Sequence, residues 1–537
     1  MMNSFFFYAG SAVGCTLLVA GIQLVCNNLL EFAEVPIFKI MQPLREKDNK
    51  TFFKGLLVSG LNGSTLTTIS TLISLVNAGL IKVRAGLLFM AGAHLGPLVL
   101  LFIFSFLNIR SALFFLSFGL VAQLMIRSRF GIWFQNTYGL FLGFGLVSLG
   151  RHFLMDGLTF FSGIDQQFLG SLMDGPYFLS LVTGLLIGAL LSYVFRSSLV
   201  AILLLMLIRD SAFYSLGLLL PAVIGVHALG FFPVYQLSKR GNVYSRRVAM
   251  GQVMISLIGL VCGAIILSLV PWAEQKGSSN VIFTFFVILR VSSVVVFLIF
   301  LKPIRSLIKK RWPSREHPKP NELEQLGRSS DMVPAMSLIQ GAFHLSKFKN
   351  IVDRLFSLTQ QYLTQGSSSS GRTLAKIKDY ERITDNMHRE IHSFLSSLIE
   401  NSLTHNQAQT VQGYIKIADG LENIADYLDK LASYNTRYIQ SGSDSSWREE
   451  FMVFFLEVKS FYQLISHNLP LRPDSDQKSV HLMAQRLKIA AESLREEHLK
   501  RLGGTDGEAL SLMTYSDMVV SVRKIRGHAL KLHSSLL

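Results

Sequence analysis

The segment LVSGLNGSTLTTISTLISLVNAGLIKVRAGLLFMAGAHLGP, residues 57–97, decides how the chain is organised, because its pattern recurs further along the sequence. Gly63–Leu66 (GSTL) is matched by Arg196–Leu199 (RSSL), and Gly92–His94 (GAH) is matched by Gly225–His227 (GVH). Both matches have the same offset of 133 residues (196 − 63 = 225 − 92 = 133). Two copies of one pattern at a fixed offset predict two related halves, an architecture typical of membrane transporters.

The composition indicates a membrane protein. Half of the 537 residues are hydrophobic, 40 are Phe, and the mean hydropathy is +0.40, which is too apolar for a soluble chain of this length. The apolar residues are concentrated between Phe5 and Leu301, in runs of roughly 18 to 25 residues that can cross about 30 Å of hydrocarbon as helices. We therefore predict an all-α chain with a transmembrane domain at residues 1–312, a linker at 313–332 and a soluble helical domain at 333–537.

The transmembrane domain is predicted to contain two repeats, at about residues 8–126 and 131–247, followed by a helical hairpin at 248–302. Several of its apolar segments are short or carry Gly, Ser and Thr near their middle. Such segments are typical of re-entrant or broken helices, which line cavities in transporters. The number of full spans therefore stays open.

The distribution of Lys and Arg predicts the orientation of the two repeats. The loop after the first span is basic, whereas its counterpart at residues 160–175 has no Lys or Arg. The reverse holds after the second copy, which is followed by four basic residues. The equivalent place in the first repeat has only Arg110. Because basic residues stay on the cytoplasmic side, we predict an inverted repeat. The basic residues are Lys39, Arg45, Lys47, Lys50 and Lys54 in the first loop, and Lys239, Arg240, Arg246 and Arg247 after the second copy.

Another basic cluster follows the last apolar run, at Lys302, Arg305, Lys309, Lys310 and Arg311. By the same rule it predicts a multi-pass protein of the cell (inner) membrane with a cytoplasmic C-terminal domain. Two interpretations of this cluster remain open, namely cytoplasmic retention with solubility, or binding of anionic headgroups in the lipid bilayer. The net charge of +16 does not indicate a nucleic-acid partner, because no basic stripe with interleaved aromatic residues lies away from the apolar segments.

The C-terminal domain is predicted to be an antiparallel helical bundle, because apolar residues recur three and four positions apart throughout it. Two of its segments share a Glu-x-x-x-Asp spacing, in Glu381 with Asp385 and in Glu422 with Asp426. These carboxylates either hold a divalent metal between facing helices or form two solvated faces with basic partners. The predicted helices are 333–365, 372–402, 405–438, 447–467, 475–502 and 507–535.

These motifs resemble those of the sodium/phosphate cotransporter family, in its bacterial form with a C-terminal PhoU-like domain. Family members carry a Gln-Ser-Ser-Ser signature in each repeat and a Gly-Ala-Asn-Ile-Gly-Thr-Thr-like segment after it. The resemblance covers most of residues 8–270 and, more loosely, 370–537. The segments that carry it are GSTLTT (63–68), SLVNAGLI (74–81), GAHLGP (92–97), RSSLV (196–200), GVHALG (225–230), KRGNVYSRRVAMGQ (239–252) and, for the PhoU motif, DGLENIADYLDKL (419–431).

The resemblance implies an uptake system that works by alternating access, with phosphate and sodium bound near the middle of the membrane where the two repeats meet. Carried over onto this sequence, Ser64, Thr65, Ser197 and Ser198 would line the anion site. Their hydroxyl groups, together with N–H groups at broken helices, are the donors that a desolvated anion needs. The alternative is that these small residues pack helices against one another.

The sequence departs from the family pattern at equivalent places in both repeats. Gly63 and Arg196 replace the signature Gln, His94 and His227 replace the later Asn, and Leu replaces the last Ser. These changes remove oxygen ligands that sodium requires, so sodium is only a candidate coupling ion. Arg196 either binds the anion, or snorkels to the interface or pairs with Asp210. The two histidines either supply protonatable donors to the site or bond to carbonyls of broken helices.

We therefore expect a secondary active transporter that imports inorganic phosphate or a related oxyanion, with sodium as coupling ion and the PhoU-like domain as a regulatory module. The alternative is a transport-deficient relative that senses an anion or anchors the PhoU-like bundle for signalling. An enzyme is not expected, because no nucleophile elbow, phosphate-binding Gly loop or metalloprotease helix occurs. Beyond sodium and a divalent metal no cofactor is expected, and further candidate partners are a second copy in a homodimer and a cytoplasmic regulatory protein.

Overall fold

The computed structural model is all-helical over the residues that it describes, as predicted, and these ranges contain no strand. The described residues are 2–41, 50–77, 81–125, 137–161, 177–210, 216–239, 241–269, 280–313, 334–364, 370–400, 403, 405–440, 448–467, 469–470, 477–501 and 509–535. Several predicted features lie outside them, namely the linker except Pro313, most of the loop at 160–175, and the side chains of Lys39, Arg45, Lys47 and Arg240.

The described helices fall into two compact units. The first, the membrane unit, contains α1 (Met2–Met41), α2 (Lys50–Asn62), α3 (Thr65–Asn77), α4 (Val83–Ala93), α5 (Pro97–Ser105), α6 (Ile109–Met125), α7 (Tyr138–Phe161), α8 (Tyr177–Phe195), α9 (Ser198–Asp210), α10 (Leu216–Leu229), α11 (Phe232–Lys239), α12 (Val243–Leu269), α13 (Asn280–Ile299) and α14 (Leu301–Arg311).

Seven segments of the described membrane unit are long and apolar enough to cross a membrane. Their surfaces carry exposed large hydrophobic side chains, such as Phe178 and Leu124, as expected where a helix faces lipid. The chain is therefore a multi-pass membrane protein. The seven segments are Ala9–Leu30, Val83–Ser105, Tyr138–Leu158, Phe178–Phe195, Leu216–Lys239, Val243–Leu269 and Asn280–Ile299.

Helices α1 and α7 cross in close contact through glycines. A Cβ atom added to Gly21 would lie 2.7 Å from the backbone N of Val147, and one added to Gly150 would lie 2.6 Å from the backbone N of Leu18. Small residues allow the backbones of membrane helices to approach this closely. Gly10, also on α1, lies away from this crossing, because a Cβ there would meet no atom within 4 Å.

In the first of the two predicted repeats, α2 and α4 are packed together by two glycines that contact carbonyl groups. A Cβ atom on Gly55 would collide with the carbonyl O of Phe89. A Cβ atom on Gly92 would collide with the carbonyl O of Phe52. The two contacts are reciprocal, because each helix contributes one glycine and one carbonyl. No larger residue fits at either glycine without separating the helices.

In the second repeat, α8 and α10 pack in the same way. Gly188 contacts the carbonyl O of Ala222, and Gly225 contacts the carbonyl O of Leu185. Each of these residues lies 133 positions after its counterpart in the first repeat (188 − 55 = 222 − 89 = 225 − 92 = 185 − 52 = 133). The offset seen in the sequence motifs therefore also relates the backbone contacts of the two helix pairs.

Each repeat also breaks a helix at the equivalent residue. α2 gives way to α3 at Gly63, and α8 gives way to α9 at Arg196. The φ angles at these residues are 64° and 51°, a left-handed conformation that glycine adopts freely and arginine does not. A Cβ atom on Gly63 would collide with Sγ of Cys26 and lie 3.1 Å from Leu100. The first break therefore has no room for a side chain, whereas the second carries one.

The second unit, the C-terminal unit, consists of six described helices whose bounds lie close to the predicted segments. α17 packs against α16 and α20, and α20 also contacts α18 and α19. Large aromatic side chains fill its core, including Phe356 and Tyr462, whose ring centroids are 4.7 Å apart. The helices are α15 (Pro334–Thr364), α16 (Ser370–Ile399), α17 (His405–Gln440), α18 (Arg448–Ser466), α19 (Gln477–Arg501) and α20 (Ala509–Ser535).

Candidate functional site

The serine that follows each helix break caps the next helix. Ser64 Oγ accepts hydrogen bonds from Thr67 N at 3.3 Å and from Thr67 Oγ1 at 3.1 Å. At the equivalent position, Ser197 Oγ accepts a hydrogen bond from Val200 N at 3.5 Å. A side-chain oxygen at this position satisfies an N–H group that the first helical turn leaves without a partner. Ser64 and Ser197 therefore stabilise the starts of α3 and α9.

The residue after each capping serine, Thr65 or Ser198, lies in the first turn of its helix and lines a cavity of about 30 Å³. The wall of this cavity comes from both repeats and from α12 and α13. We call it the His94–Arg290 cavity. Its polar lining includes Thr65, His94, Ser192, Arg196, Ser198, His227, Gln252 and Arg290.

Arg290 supplies a buried positive charge to this cavity. It lies in the middle of α13, and only 4% of its surface is exposed. Its Nη1 donates to His94 Nδ1 at 2.7 Å, and its Nη2 donates to Ser198 Oγ at 3.0 Å. The guanidinium carbon lies 4.9 Å from the ring centre of Phe286, a cation–π contact. The guanidinium thus connects the first repeat, through His94, with the second repeat, through Ser198.

The hydrogen bonds of His94 define its tautomer. A guanidinium can only donate, so His94 Nδ1 must be the acceptor of the bond from Arg290. The ring hydrogen then lies on Nε2, which donates to Gln252 Oε1 at 2.9 Å. His94 is therefore a neutral bridge between Arg290 and Gln252.

His227, the counterpart of His94, lies across the same cavity. The ring centroids of the two histidines are 5.8 Å apart. His227 Nε2 lies 3.4 Å from the carbonyl O of Ile255, to which it can donate. His227 Nδ1 and Arg290 Nε are both buried and have no hydrogen-bond partner among the described residues. Within the described part of the chain, these two polar atoms of the cavity therefore lack a protein partner.

Arg290 also has no carboxylate partner among the residues whose side chains the structure describes. In the described part of the membrane unit, Asp210 pairs with Arg151 at 3.2 Å and Asp156 pairs with His152 at 3.5 Å. Burying a cation away from water without a counterion is costly, above all inside a membrane. The cavity is therefore electrostatically suited to an anion.

A second, larger cavity of about 700 Å³ is lined by Ser64 and Ser197. We call it the Ser64–Ser197 cavity. Gln23 and Asn27 of α1 contribute further polar groups to its wall. Arg196 lines both this cavity and the His94–Arg290 cavity, so the second helix break lies between them.

The structure divides the seven predicted anion-site residues between the two cavities, with Arg196 shared. Five line the His94–Arg290 cavity, namely Thr65, His94, Arg196, Ser198 and His227. Ser64 and Ser197 line only the other one. The part that each residue plays in binding stays a prediction.

The sequence motifs do not single out Arg290 or Gln252. Arg290 is nevertheless the one charged residue between Asn280 and Leu301, and an arginine inside an apolar span is itself an indication of a functional site. Its contact with His94 could not be predicted in this way, because the two residues lie 196 positions apart in the chain.

In the C-terminal unit, three of the four predicted metal ligands come together. Glu381, Asp385 and Asp426 each offer a carboxylate oxygen within 4.8 Å of the others. Burial, followed by the charge of Asp385, raises the pKa of Glu381 to about 7. Burial, followed by the charge of Asp426, also raises the pKa of Glu422. Carboxylate oxygens at this spacing are a donor set that suits a hard divalent cation.

The interpretation of these carboxylates as solvated faces also has support. Lys430 Nζ lies 3.5 Å from Asp426 Oδ2, and their side chains are 51% and 34% exposed. Arg382 pairs with Asp379 on the exposed face of α16, at 3.1 Å. Both interpretations of the cluster therefore stay open.

The first helix break, at Gly63, lies within a segment that matches a known family. The Na+/Pi-cotransporter family model matches residues 17–156. Residues 17–156 are thus similar to the Na+/Pi-cotransporter family. Comparison with curated proteins and with solved structures gave no match. The Na+/Pi-cotransporter segment supplies Thr65 and His94 to the His94–Arg290 cavity, whereas Ser198 and Arg290 lie beyond it.

The Na+/Pi-cotransporter family and the seven apolar helices together indicate a membrane transporter and not an enzyme, as predicted.

Proposed function

We propose that the protein is a secondary active transporter that imports inorganic phosphate or a related oxyanion. The observation that carries this proposal is the meeting of both helix breaks at one cavity, beside the buried guanidinium of Arg290. Thr65 and Ser198 offer hydroxyl groups from the first turns of α3 and α9, where the helix dipole favours negative charge. A guanidinium is the cation best shaped to pair with an oxyanion.

Transport would proceed by alternating access between two inverted repeats. The shared offset of 133 residues in the helix breaks and glycine contacts supports the repeat, and the opposite Lys and Arg bias supports its inversion. Arg196 lines both cavities, so an anion that passes from one to the other stays near its guanidinium. The basic cluster that follows α13 supports a cytoplasmic C-terminal unit in an inner-membrane protein.

Sodium is the coupling ion that we propose from the family, with a proton gradient as the alternative. The C-terminal unit is proposed to be a PhoU-like regulatory module, which holds a divalent metal between α16 and α17. Its support is the oxygen cluster of Glu381, Asp385 and Asp426, with Glu422 on the adjacent turn. A homodimer and a cytoplasmic partner are further proposals that follow from the family resemblance alone.

The transport proposal is tested by uptake of radiolabelled phosphate into proteoliposomes, with sodium and proton gradients imposed separately. We expect uptake above that of protein-free liposomes under the sodium gradient. The absence of uptake under both gradients, by protein that elutes as a single folded species, would reject phosphate transport.

A transport-deficient anion sensor is the second candidate. It is favoured by Gly63 and Arg196, which stand where the family signature has Gln in both repeats. Saturable phosphate binding without uptake under any gradient would support the sensor over the transporter.

A further inference from the structure

We infer that Arg290 is a built-in counter-cation, so that the His94–Arg290 cavity binds a protonated oxyanion without requiring sodium. This inference rests on the proposed function and makes its substrate more specific. It concerns a residue outside the matched segment 17–156 and outside the signature motifs of both repeats.

The first step of the argument is the unbalanced charge of Arg290. Only 4% of the residue is exposed, and it lies midway along an apolar helix. Its hydrogen-bond partners are His94 Nδ1, the carbonyl O of His94 and Ser198 Oγ, all neutral groups that orient the guanidinium without cancelling its charge. An unbalanced buried cation is stabilised by a bound anion.

The second step is the set of groups that surround the guanidinium. Arg290 Nε has no partner among the described residues and can donate to a ligand. Ser198 Oγ accepts from Arg290 Nη2, which leaves the serine hydrogen for donation. Thr65 lines the same cavity with a further hydroxyl group. These donors can hold an oxyanion at several oxygens.

The third step concerns a hydrogen-bond acceptor in the same cavity, His227 Nδ1. This atom selects for a protonated ligand. With His227 Nε2 donating to the carbonyl of Ile255, His227 Nδ1 carries no hydrogen and is an acceptor. This nitrogen is buried and has no partner among the described residues. Dihydrogen phosphate can donate a hydrogen bond to it, whereas sulfate, which carries no proton near neutral pH, cannot. A site with an unpaired acceptor discriminates against a ligand that lacks the matching donor.

The fourth step concerns sodium. Arg290 supplies a buried positive charge, and the more exposed Arg196 lines the same cavity. A sodium ion bound beside these two guanidinium groups would be repelled. At the two helix breaks, Gly63 and Arg196 offer no side-chain oxygen, which is the ligand type that sodium requires. If a sodium gradient drives transport, the sodium ion therefore does so without contacting the bound anion.

The test is direct binding of ³²P-phosphate to the full-length protein, purified in detergent and held in choline chloride. We expect saturable binding in choline, with an affinity within about threefold of that in sodium chloride. Arg290→Gln should weaken binding by about tenfold to a hundredfold, because a charged hydrogen-bond donor is lost. Arg290→Lys keeps the charge and should weaken it less. Unlabelled phosphate should displace the label at least about tenfold better than sulfate.

Arg247→Gln is the matched control. Arg247 is also buried in the membrane unit, but its Nε donates to the carbonyl O of Trp312 at 3.0 Å and it does not line the cavity. We expect this variant to bind phosphate as the unchanged protein does. Elution volume and thermal unfolding check the fold of each variant. If Arg290→Gln does not fold, Arg290→Lys and the choline measurement decide the question.

Three results would overturn the inference: binding that appears only with sodium, equal binding by the unchanged protein and a folded Arg290→Gln variant, or equal displacement by sulfate and phosphate. The outcome is separate from that of the uptake assay. Binding in choline that depends on Arg290, without uptake under any gradient, would reject the transporter and leave the inference intact. Uptake with strictly sodium-dependent binding would reject the inference and leave the transporter intact.

Discussion

At the scale of single residues, neighbouring hydroxyl groups perform different tasks. Ser64 and Ser197 accept hydrogen bonds from the first turns of α3 and α9, whereas Thr65 and Ser198 line the same cavity as Arg290. One position in the chain therefore separates a residue that stabilises a helix from a residue that can touch a ligand.

This division predicts opposite effects for adjacent alanine substitutions. Ser197→Ala should lower the melting temperature of the purified protein, because losing a helix cap costs about 0.5–2 kcal/mol, and should leave phosphate binding close to normal. Ser198→Ala should weaken phosphate binding with little change in melting temperature. Thermal unfolding and radiolabel binding on the same preparations check both effects. Unchanged phosphate binding by Ser198→Ala would remove that hydroxyl group from the site.

A second prediction at this scale concerns pH and the Glu381 carboxyl group. Its pKa is raised from an ordinary 4.5 to about 7, so the folded protein holds this proton more tightly than the unfolded chain does. The resulting stabilisation is complete below about pH 4.5 and is lost as pH rises through about 7. Glu381→Gln should therefore melt higher than the unchanged protein at pH 8 in EDTA, with a difference that shrinks toward pH 5.

Divalent cations extend this measurement. At pH 8, a cation that binds the cluster should raise the melting temperature of the unchanged protein more than that of Glu381→Gln. Metal content after dialysis should also fall when Asp426 is replaced by Ala. Asp379→Asn is the control on the same helix, because its side chain is 65% exposed and pairs with Arg382. A pH profile for Glu381→Gln that matches the unchanged protein would place Glu381 on a solvated face.

At the scale of elements, glycines determine how closely the membrane helices approach. Gly21 and Gly150 bring α1 and α7 together, and Gly55 with Gly92 join α2 to α4. The contacts between α8 and α10 repeat those between α2 and α4, at an offset of 133 residues. The starting points of α3 and α9, and thus the position of the cavity, depend on these helix pairs.

Gly21→Leu should separate α1 from α7 and lower the melting temperature by several degrees. The reason is that its first side-chain carbon would lie 2.7 Å from the backbone N of Val147. Gly10→Leu is the matched control on the same helix, because no atom lies within 4 Å of an added Cβ there. Fluorescence-monitored thermal unfolding compares the two variants. Equal melting temperatures would mean that α1 and α7 do not cross at Gly21.

Many of the helices could be predicted from the sequence, because periodicity and composition are local properties. The six helices of the C-terminal unit and the presence of broken helices in the membrane unit follow from such patterns. The division of Ser64 and Thr65 between two cavities could not, since spacing alone does not distinguish a cap from a lining residue. Arg290 stands out in an apolar run, but its partner His94 is brought to it only by tertiary packing.

At the scale of the whole molecule, the membrane unit combines three parts at one cavity. The Na+/Pi-cotransporter segment provides Thr65 and His94, the second repeat provides Ser198 and His227, and α13 adds Arg290. The family accounts for the first part alone. The buried charge of Arg290, which suits the cavity to an anion, comes from the last part, and this part lies outside the family match.

The most direct test of this arrangement is a cryo-EM map of the full-length protein in a lipid nanodisc with saturating phosphate and no sodium. We expect density for a tetrahedral anion within hydrogen-bonding distance of the Arg290 guanidinium and Ser198 Oγ. A well-resolved His94–Arg290 cavity without such density, or an anion bound only in the Ser64–Ser197 cavity, would contradict the assignment of Arg290 as the anion's counter-cation.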